Sequence, residues 1–281
     1  MNYDFRLVEI FADFLNTKDL KKLRSPVLSI MKAGVDDEEA LRIMIAESQG
    51  IDTSGKDKDF FRKYFPLCLK KLDPAPYLAD EYLKKVKFDD KKIGDCKLFY
   101  DSYAPYEPFV FDDIYSFFDG TLIPKVGFFD RKFSFPAISE NGRIWMTVTP
   151  NEINTMRPQI ERAQGNITLL GLGLGYFAFH SALNEKVEKI TVIEKNRAII
   201  DLYESLLKPQ FINADKISIV EGDAYTLAEE GKLPASDFVF CDVWRDVSDG
   251  VIGYKRLKKT ESVYPGVKFS YWIEKSIDFY L

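Results

Sequence analysis

Ile167-Thr-Leu-Leu-Gly-Leu-Gly-Leu-Gly-Tyr176 is the stretch that decides the fold. A short apolar run reads as a buried strand, three glycines as a tight turn, and Tyr176 to Leu183 as the helix that follows. Three further strand-like runs lie downstream: Lys189-Ile-Thr-Val-Ile193, Lys216-Ile-Ser-Ile-Val220 and Asp237-Phe-Val-Phe-Cys241. A helix from Arg197 to Leu207 separates the second run from the third. Strands that alternate with helices need right-handed crossovers, so the spacing predicts a mostly parallel sheet with helices on both faces. Tyr264-Pro-Gly-Val-Lys-Phe-Ser-Tyr-Trp-Ile-Glu274 supplies a fifth strand.

Upstream the rhythm changes. Asn141-Gly142 sits between Pro136-Ala-Ile and Arg143-Ile-Trp-Met-Thr-Val-Thr149, and both residues tolerate the positive φ of a hairpin turn. Pro150-Asn151-Glu152 opens a helix towards Ala163. From Phe99 to Pro136, aromatic residues alternate with Asp, Pro and Gly, which favours short strands. Nearer the start, Phe5, Val8, Ile10, Phe11 and Leu15 recur at near-helical spacing, and Asp36-Asp37-Glu38-Glu39 forms an acidic first helical turn. The expected division is a helical domain over 1–90, an aromatic-rich β segment with its hairpin over 91–150, and an α/β domain over 151–281.

Composition narrows the function. With 281 residues, 46% hydrophobic and 30% charged, the chain has enough apolar surface to exclude intrinsic disorder. A net charge of −5 argues against a broad nucleic-acid surface, which needs excess Lys and Arg. No apolar run is long enough to span a bilayer, and Met-Asn-Tyr-Asp-Phe-Arg lacks the apolar core of a signal peptide, so a cytoplasmic protein with no membrane partner is expected. Cys68, Cys96 and Cys241 make neither a disulfide framework nor a metal site. The single histidine, His180, leaves little room for zinc chemistry and reads as an ordinary half-buried side chain.

Chemistry concentrates at the predicted strand ends. Gly171, Gly173 and Gly175 allow a tight turn and close ligand approach, and the helix after them offers unpaired N–H groups. Glu194 closes the second strand about twenty residues on, where a carboxylate can accept both hydroxyls of a ribose. Asp223, in Glu221-Gly-Asp-Ala224, closes the third strand, and Asp242, in Cys241-Asp-Val-Trp244, closes the fourth. In an open parallel sheet these ends share one edge, so the set points to a nucleoside site. Taken singly, each acid also reads as a helix N-cap. Gly173-Leu-Gly-Tyr-Phe-Ala178 also satisfies the dinucleotide pattern, which keeps an NAD- or FAD-binding protein as an alternative, beside a non-catalytic nucleoside-binding scaffold.

In this order of motifs, residues 166 to about 260 resemble the class I S-adenosylmethionine-dependent methyltransferase superfamily. The resemblance implies an α/β, Rossmann-like methyltransferase fold, preceded by a helical N-terminal region and a β-hairpin segment. It implies S-adenosylmethionine as cofactor and methyl transfer to a small-molecule or protein acceptor. By the same resemblance Gly171, Gly173, Gly175 and Tyr176 line the methionine part of the cofactor, Glu194 holds the ribose and Asp223 the adenine amino group. Ala224 and Tyr225 flank the adenine. Asp242 sits beside the sulfonium as the residue that orients or deprotonates the acceptor, with Asp246 as a second catalytic candidate.

The hairpin, the run Gly142 to Glu152 and the next helix look like the layout of spermidine synthases. That branch implies aminopropyl transfer from decarboxylated S-adenosylmethionine as an alternative. Here Leu174 stands at that family's acidic position, Asp242-Val-Trp-Arg-Asp246 replaces its Asp-Ser-Ser-Asp-Pro, and Thr155 and Arg157 occupy its polyamine-binding positions. A homodimer is compatible with this layout. The aromatic excess between Phe99 and Phe135 is expected to pack a domain boundary ahead of an acceptor pocket, and to carry whatever the chain encodes about its substrate.

Overall fold

A computed structural model describes residues 3–281. Four helices come first: α1 (Arg6–Thr17), α2 (Arg24–Met31), α3 (Asp37–Ser48) and α4 (Lys58–Cys68). After β1 (Leu69–Lys71) and the short α5 (Ala75–Leu78) and α6 (Glu81–Lys85), six strands follow. They are β2 (Lys91–Ile93), β3 (Cys96–Tyr103), β4 (Phe109–Ser116), β5 (Leu122–Phe128), β6 (Phe133–Glu140) and β7 (Arg143–Thr147). The remainder alternates: α7 (Pro150–Arg162), β8 (Gly165–Leu170), α8 (Tyr176–Leu183), β9 (Val187–Glu194), α9 (Arg197–Leu202), β10 (Ile217–Glu221), α10 (Ala224–Glu229) and β11 (Phe238–Cys241). It closes with α11 (Val247–Thr260), β12 (Lys268–Tyr271) and α12 (Glu274–Asp278).

The chain forms two compact units, one running to Pro76 and resuming over Ser102–Ser134, the other made of Tyr77–Asp101 and Phe135–Leu281. In the first, a three-stranded sheet of order β1-β5-β4 packs with α1 to α4. Helix α3 starts where the Asp36 carboxylate accepts the Glu39 N–H at 2.8 Å, with three acids in the first turn, as the acidic run predicts. The apolar stripe of α1 buries Leu7, Phe11 and Phe14 against Phe65 and Phe128. The aromatic residues of this unit stack among themselves: Tyr103 on Phe109 at 4.0 Å, Phe109 with Phe129 at 5.1 Å, and Phe129 with Phe133 at 4.8 Å.

The second unit is a Rossmann-like α/β layer structure. Its larger sheet has five strands, all parallel, in the order β10-β9-β8-β11-β12, and a four-stranded sheet of order β2-β3-β6-β7 contains antiparallel pairs. The chain starts at the centre, moves outward to β10, then returns to lay β11 on the other side of β8. That reversal opens a crevice at the carboxyl ends of β8 and β11. Register aligns those ends: Leu170 lies beside Ile193 and Cys241, and Glu221 beside Glu194. The hairpin of β6 and β7 closes through Asn141 and Gly142, with φ of 52° and 76°, as their sequence demands.

Some expectations are redrawn. Residues 77–101 belong with the α/β unit, not with the N-terminal helices, because Tyr82 on α6 is fully buried there and donates to the Leu174 carbonyl at 2.6 Å. The helix expected to Leu207 is α-helical only to Leu202 and continues as a wider π turn over Tyr203–Leu207. Only Lys268–Tyr271 of the expected fifth strand pairs, since Pro265 and Gly266 turn the chain before it. No described helix is long and apolar enough to cross a membrane, and all three cysteines are buried thiols.

Candidate functional site

The strand ends of the parallel sheet line an open cleft. Gly171 follows β8 with φ of +93°, and a Cβ there would collide with the Asp242 carbonyl, so glycine is needed to let the first and fourth strand ends meet. Glu194, buried at the end of β9, accepts the Leu172 N–H at 3.0 Å and the Asn196 N–H at 2.8 Å. One carboxylate thus ties the glycine turn to the next turn and still faces the cleft. Burial pushes its pKa above the ordinary value, against the pull of those N–H donors.

Asp223, Ala224 and Tyr225 also line the cleft, as do Lys195 and Val243. Asp223 is also the N-cap of α10, accepting the Thr226 N–H at 2.9 Å. Burial raises its pKa, but the Thr226 hydrogen bonds outweigh that, so its carboxyl stays below the usual range. Asp223 thus caps a helix and lines the cleft at once. The Tyr225 ring lies 4.4 Å from the Arg256 guanidinium, which is itself held by Glu229 at 2.9 and 3.0 Å.

A second lobe shares Trp145 and Asp242 with the first. Gly173, Met146 and Glu152 line it, and Trp244 and Trp272 wall it. Glu152 is the third residue of α7 and forms a capping box with Thr149; it accepts the Thr147 hydroxyl at 2.7 Å and the Thr149 N–H at 3.1 Å. Asp242, by contrast, accepts no side-chain hydrogen bond among the described residues. Loss of water and the nearby Glu152 charge push its pKa up to about 8. The Trp272 indole donates to the Thr155 hydroxyl at 2.9 Å, so the small side chain at that position makes room for a tryptophan. The Trp244 indole N–H is buried without a partner. Arg245, at the lobe's rim, is paired with Asp249 at 3.5 Å. The lobe is therefore aromatic and acidic.

Of the residues singled out from sequence, Gly171, Glu194, Asp223, Ala224 and Asp242 line the first lobe, and Gly173 joins Asp242 in the second. Gly175 and Tyr176 line neither. Gly175 packs against Tyr203 and Phe211 at the start of α8, and the buried Tyr176 donates to Asp80 at 2.9 Å. His180 meets the same carboxylate at 3.2 Å. Asp246 is exposed and caps α11, accepting the Ser248 N–H at 2.7 Å, and it also lies outside both linings. Nor does the aromatic segment from Phe99 to Phe135 contribute to either wall; most of it lies in the first unit, where Phe109, Phe129 and Phe133 pack together, and the tryptophans of the cleft stand at 145, 244 and 272. Trp145, Met146, Glu152, Lys195 and Trp272 were missing from the candidates. The signal for three of them was the hairpin strand running into α7, already conspicuous as a layout but not as a wall.

No family model matches the chain, and no curated protein matches it. Among solved structures, the spermidine synthase of Thermotoga maritima aligns at 14% identity and a TM-score of 0.37, covering 53% of this chain and 57% of that one. A probable spermidine synthase from Corynebacterium glutamicum aligns at 21% identity and 0.30, covering 39% and 44%. A spermidine synthase in complex with the transition-state analogue AdoDATO aligns at 14% and 0.35, covering 50% and 52%. The match spans about half the length of each. The fold assignment rests on the strand order and register described above.

Proposed function

We propose that this chain binds an S-adenosylmethionine-type nucleoside and transfers an alkyl group from it to an amine, in the first instance a methyl group. One observation carries the reading: Glu194, Asp223 and Asp242, from three strand ends, converge on one cleft with Gly171. One feature suits such a ligand: among the described residues no donor meets the Asp242 carboxyl, which lines both lobes.

In this reading Glu194 accepts the ribose hydroxyls, and Asp223 accepts the adenine amino group between Ala224 and Tyr225. When bound, the sulfonium supplies an already electrophilic carbon. The chain's own residues then orient the acceptor and exclude water. Trp145, Trp244 and Trp272 present aromatic surface that draws a cationic amine into the second lobe. Asp242, its pKa pushed up to about 8, takes a proton from the ammonium and so frees the nitrogen lone pair, which then attacks the carbon as its bond to sulfur breaks and the thioether nucleoside leaves; a general base works best when its pKa lies near the working pH.

A second reading, aminopropyl transfer, is favoured by the charge of that lobe. Asp242 and Glu152 face it, and Arg245 is engaged with Asp249, so a donor tail ending in an amine suits it better than one carrying a carboxylate. Calorimetry with S-adenosylhomocysteine, 5′-methylthioadenosine and NAD tests the shared part. At least one thioether nucleoside should bind, NAD should not, and Glu194→Ala and Asp223→Ala should each weaken binding by about tenfold or more. NAD binding alone, or unchanged affinity in both variants, would overturn the site. Radiolabelled donor, with and without its carboxylate, over a panel of amines then separates the two transfers. Binding without transfer from either donor points to a scaffold.

A further inference from the structure

Trp145 and Asp242 are the residues that line both lobes, one on β7 and the other directly after β11. Whatever lies where the lobes meet therefore faces an indole and a carboxyl. No donor meets that carboxyl among the described residues. The Trp145 side chain is half-buried. The Arg245 guanidinium stands 6.0 Å from its ring centroid, at the outer limit of a cation–π contact, and Asp249 engages that charge at 3.5 Å. At that distance the ring is not capped. An indole face is negative, and among aromatic side chains it attracts positive charge most strongly.

We infer that Trp145 selects for charge at the 5′ sulfur: its indole favours a nucleoside whose sulfur is a sulfonium over the same nucleoside as a neutral thioether. The inference rests on the nucleoside reading of the cleft. In that reading the ribose lies at Glu194 and the acceptor in the second lobe, so the 5′ sulfur falls between them, where Trp145 stands. Asp242 adds little to the preference, because its carboxyl, pushed up to about 8, is mostly protonated at neutral pH. The indole does not titrate. Both donors, with and without the carboxylate, carry the sulfonium, so the preference serves either transfer. Once the alkyl group has moved to the amine, the electron pair of the broken bond stays on sulfur and the charge there is gone. Trp145 then holds the spent nucleoside less tightly than the donor, which favours exchange of one for the other.

The test uses two pairs of nucleosides whose members differ by one methyl group and one charge. They are S-adenosylmethionine against S-adenosylhomocysteine, and the S-methyl sulfonium of 5′-methylthioadenosine against 5′-methylthioadenosine itself. Calorimetry at pH 7 on the full chain compares the wild type, Trp145→Leu and Trp145→Phe. In whichever pair binds, the wild type should prefer the sulfonium by about tenfold. Trp145→Leu should bring the two members to within about twofold, mainly by weakening the sulfonium. Trp145→Phe keeps a weaker ring and should give a ratio between the two. If Trp145→Leu binds neither member, the ratio in Trp145→Phe decides. Equal affinity of the wild type for both members overturns the inference without any variant, and so does a wild-type ratio preserved in Trp145→Leu. If no member of either pair binds the wild type, the nucleoside reading itself falls, and this inference with it.

Discussion

The two lobes that meet at Asp242 are built by opposite rules. The first is made of consecutive strand ends of one sheet, and its two outer carboxylates are served by backbone N–H groups: Glu194 by Leu172 and Asn196, Asp223 by Thr226. The second is assembled from β7, α7, the turn after β11 and the residue after β12. Its Glu152 is satisfied by neighbours in its own capping box, and its Asp242 by nothing in the protein. The N–H donors carry Asp223 below its ordinary range, but at the more deeply buried Glu194 they only oppose the rise that burial causes, and Asp242, with no donor beside a second acid, is pushed up to about 8. The first lobe thus holds carboxylates served by the backbone, and the second a carboxyl where a proton or a cation changes the balance of charge.

The sharpest way to break this division is at the point where the lobes touch. Gly171→Ala places a Cβ against the Asp242 carbonyl at a φ of +93°, and the backbone strain alone costs roughly 1–2 kcal/mol before the collision is counted. Gly142→Ala carries a similar positive φ but meets nothing within 4 Å. Thermal melts should show Gly171→Ala losing much more stability than Gly142→Ala, together with nucleoside binding. Equal losses would mean that the contact between the first and fourth strand ends does not hold the cleft together.

A smaller effect separates the two kinds of carboxylate. Because folding raises the Asp242 pKa from about 4 to about 8, the native state binds its proton more tightly than the unfolded chain does. Its contribution to stability is therefore fully present at acid pH and is lost as pH rises through that window, with a slope of up to about 1.4 kcal/mol per pH unit. Urea midpoints of wild type and Asp242→Asn should converge or cross in favour of the variant as pH is raised towards 8. Parallel curves would remove the buried-acid account of the second lobe. Turnover should fall in the same variant while nucleoside affinity stays within about threefold, the opposite of the pattern expected at Glu194.

The smallest effect belongs to a residue outside both lobes. Asp246→Ala removes a helix cap and should cost about 1 kcal/mol of stability with nucleoside affinity unchanged. A loss of binding there would extend the site beyond the lobes drawn here.

How legible each lobe was in the sequence follows from how it is built. The strands, the glycine turn and the acids of the first lobe are local signals: an apolar run, a glycine, then an acid, each within a few residues of its strand end. Asp246 and Tyr176 carried the same kind of signal and went elsewhere, one to a helix cap and one to Asp80, because a motif records neighbours along the chain and not the direction of a side chain. The aromatic segment from Phe99 to Phe135 lines neither lobe, in keeping with its expected role in packing ahead of an acceptor pocket: aromatic density marks burial and does not say which surface is covered.

By itself, then, the sequence determined a parallel α/β sheet with a glycine turn and acidic strand ends, because periodicity and turn chemistry act over short spans. Tertiary structure alone decided that Trp272 would lean on Thr155, 117 residues earlier, and that Met146 would close on the Leu174 amide, 28 residues later. Those pairs form only when the sheet brings distant segments to one edge. No local pattern in the chain encodes them.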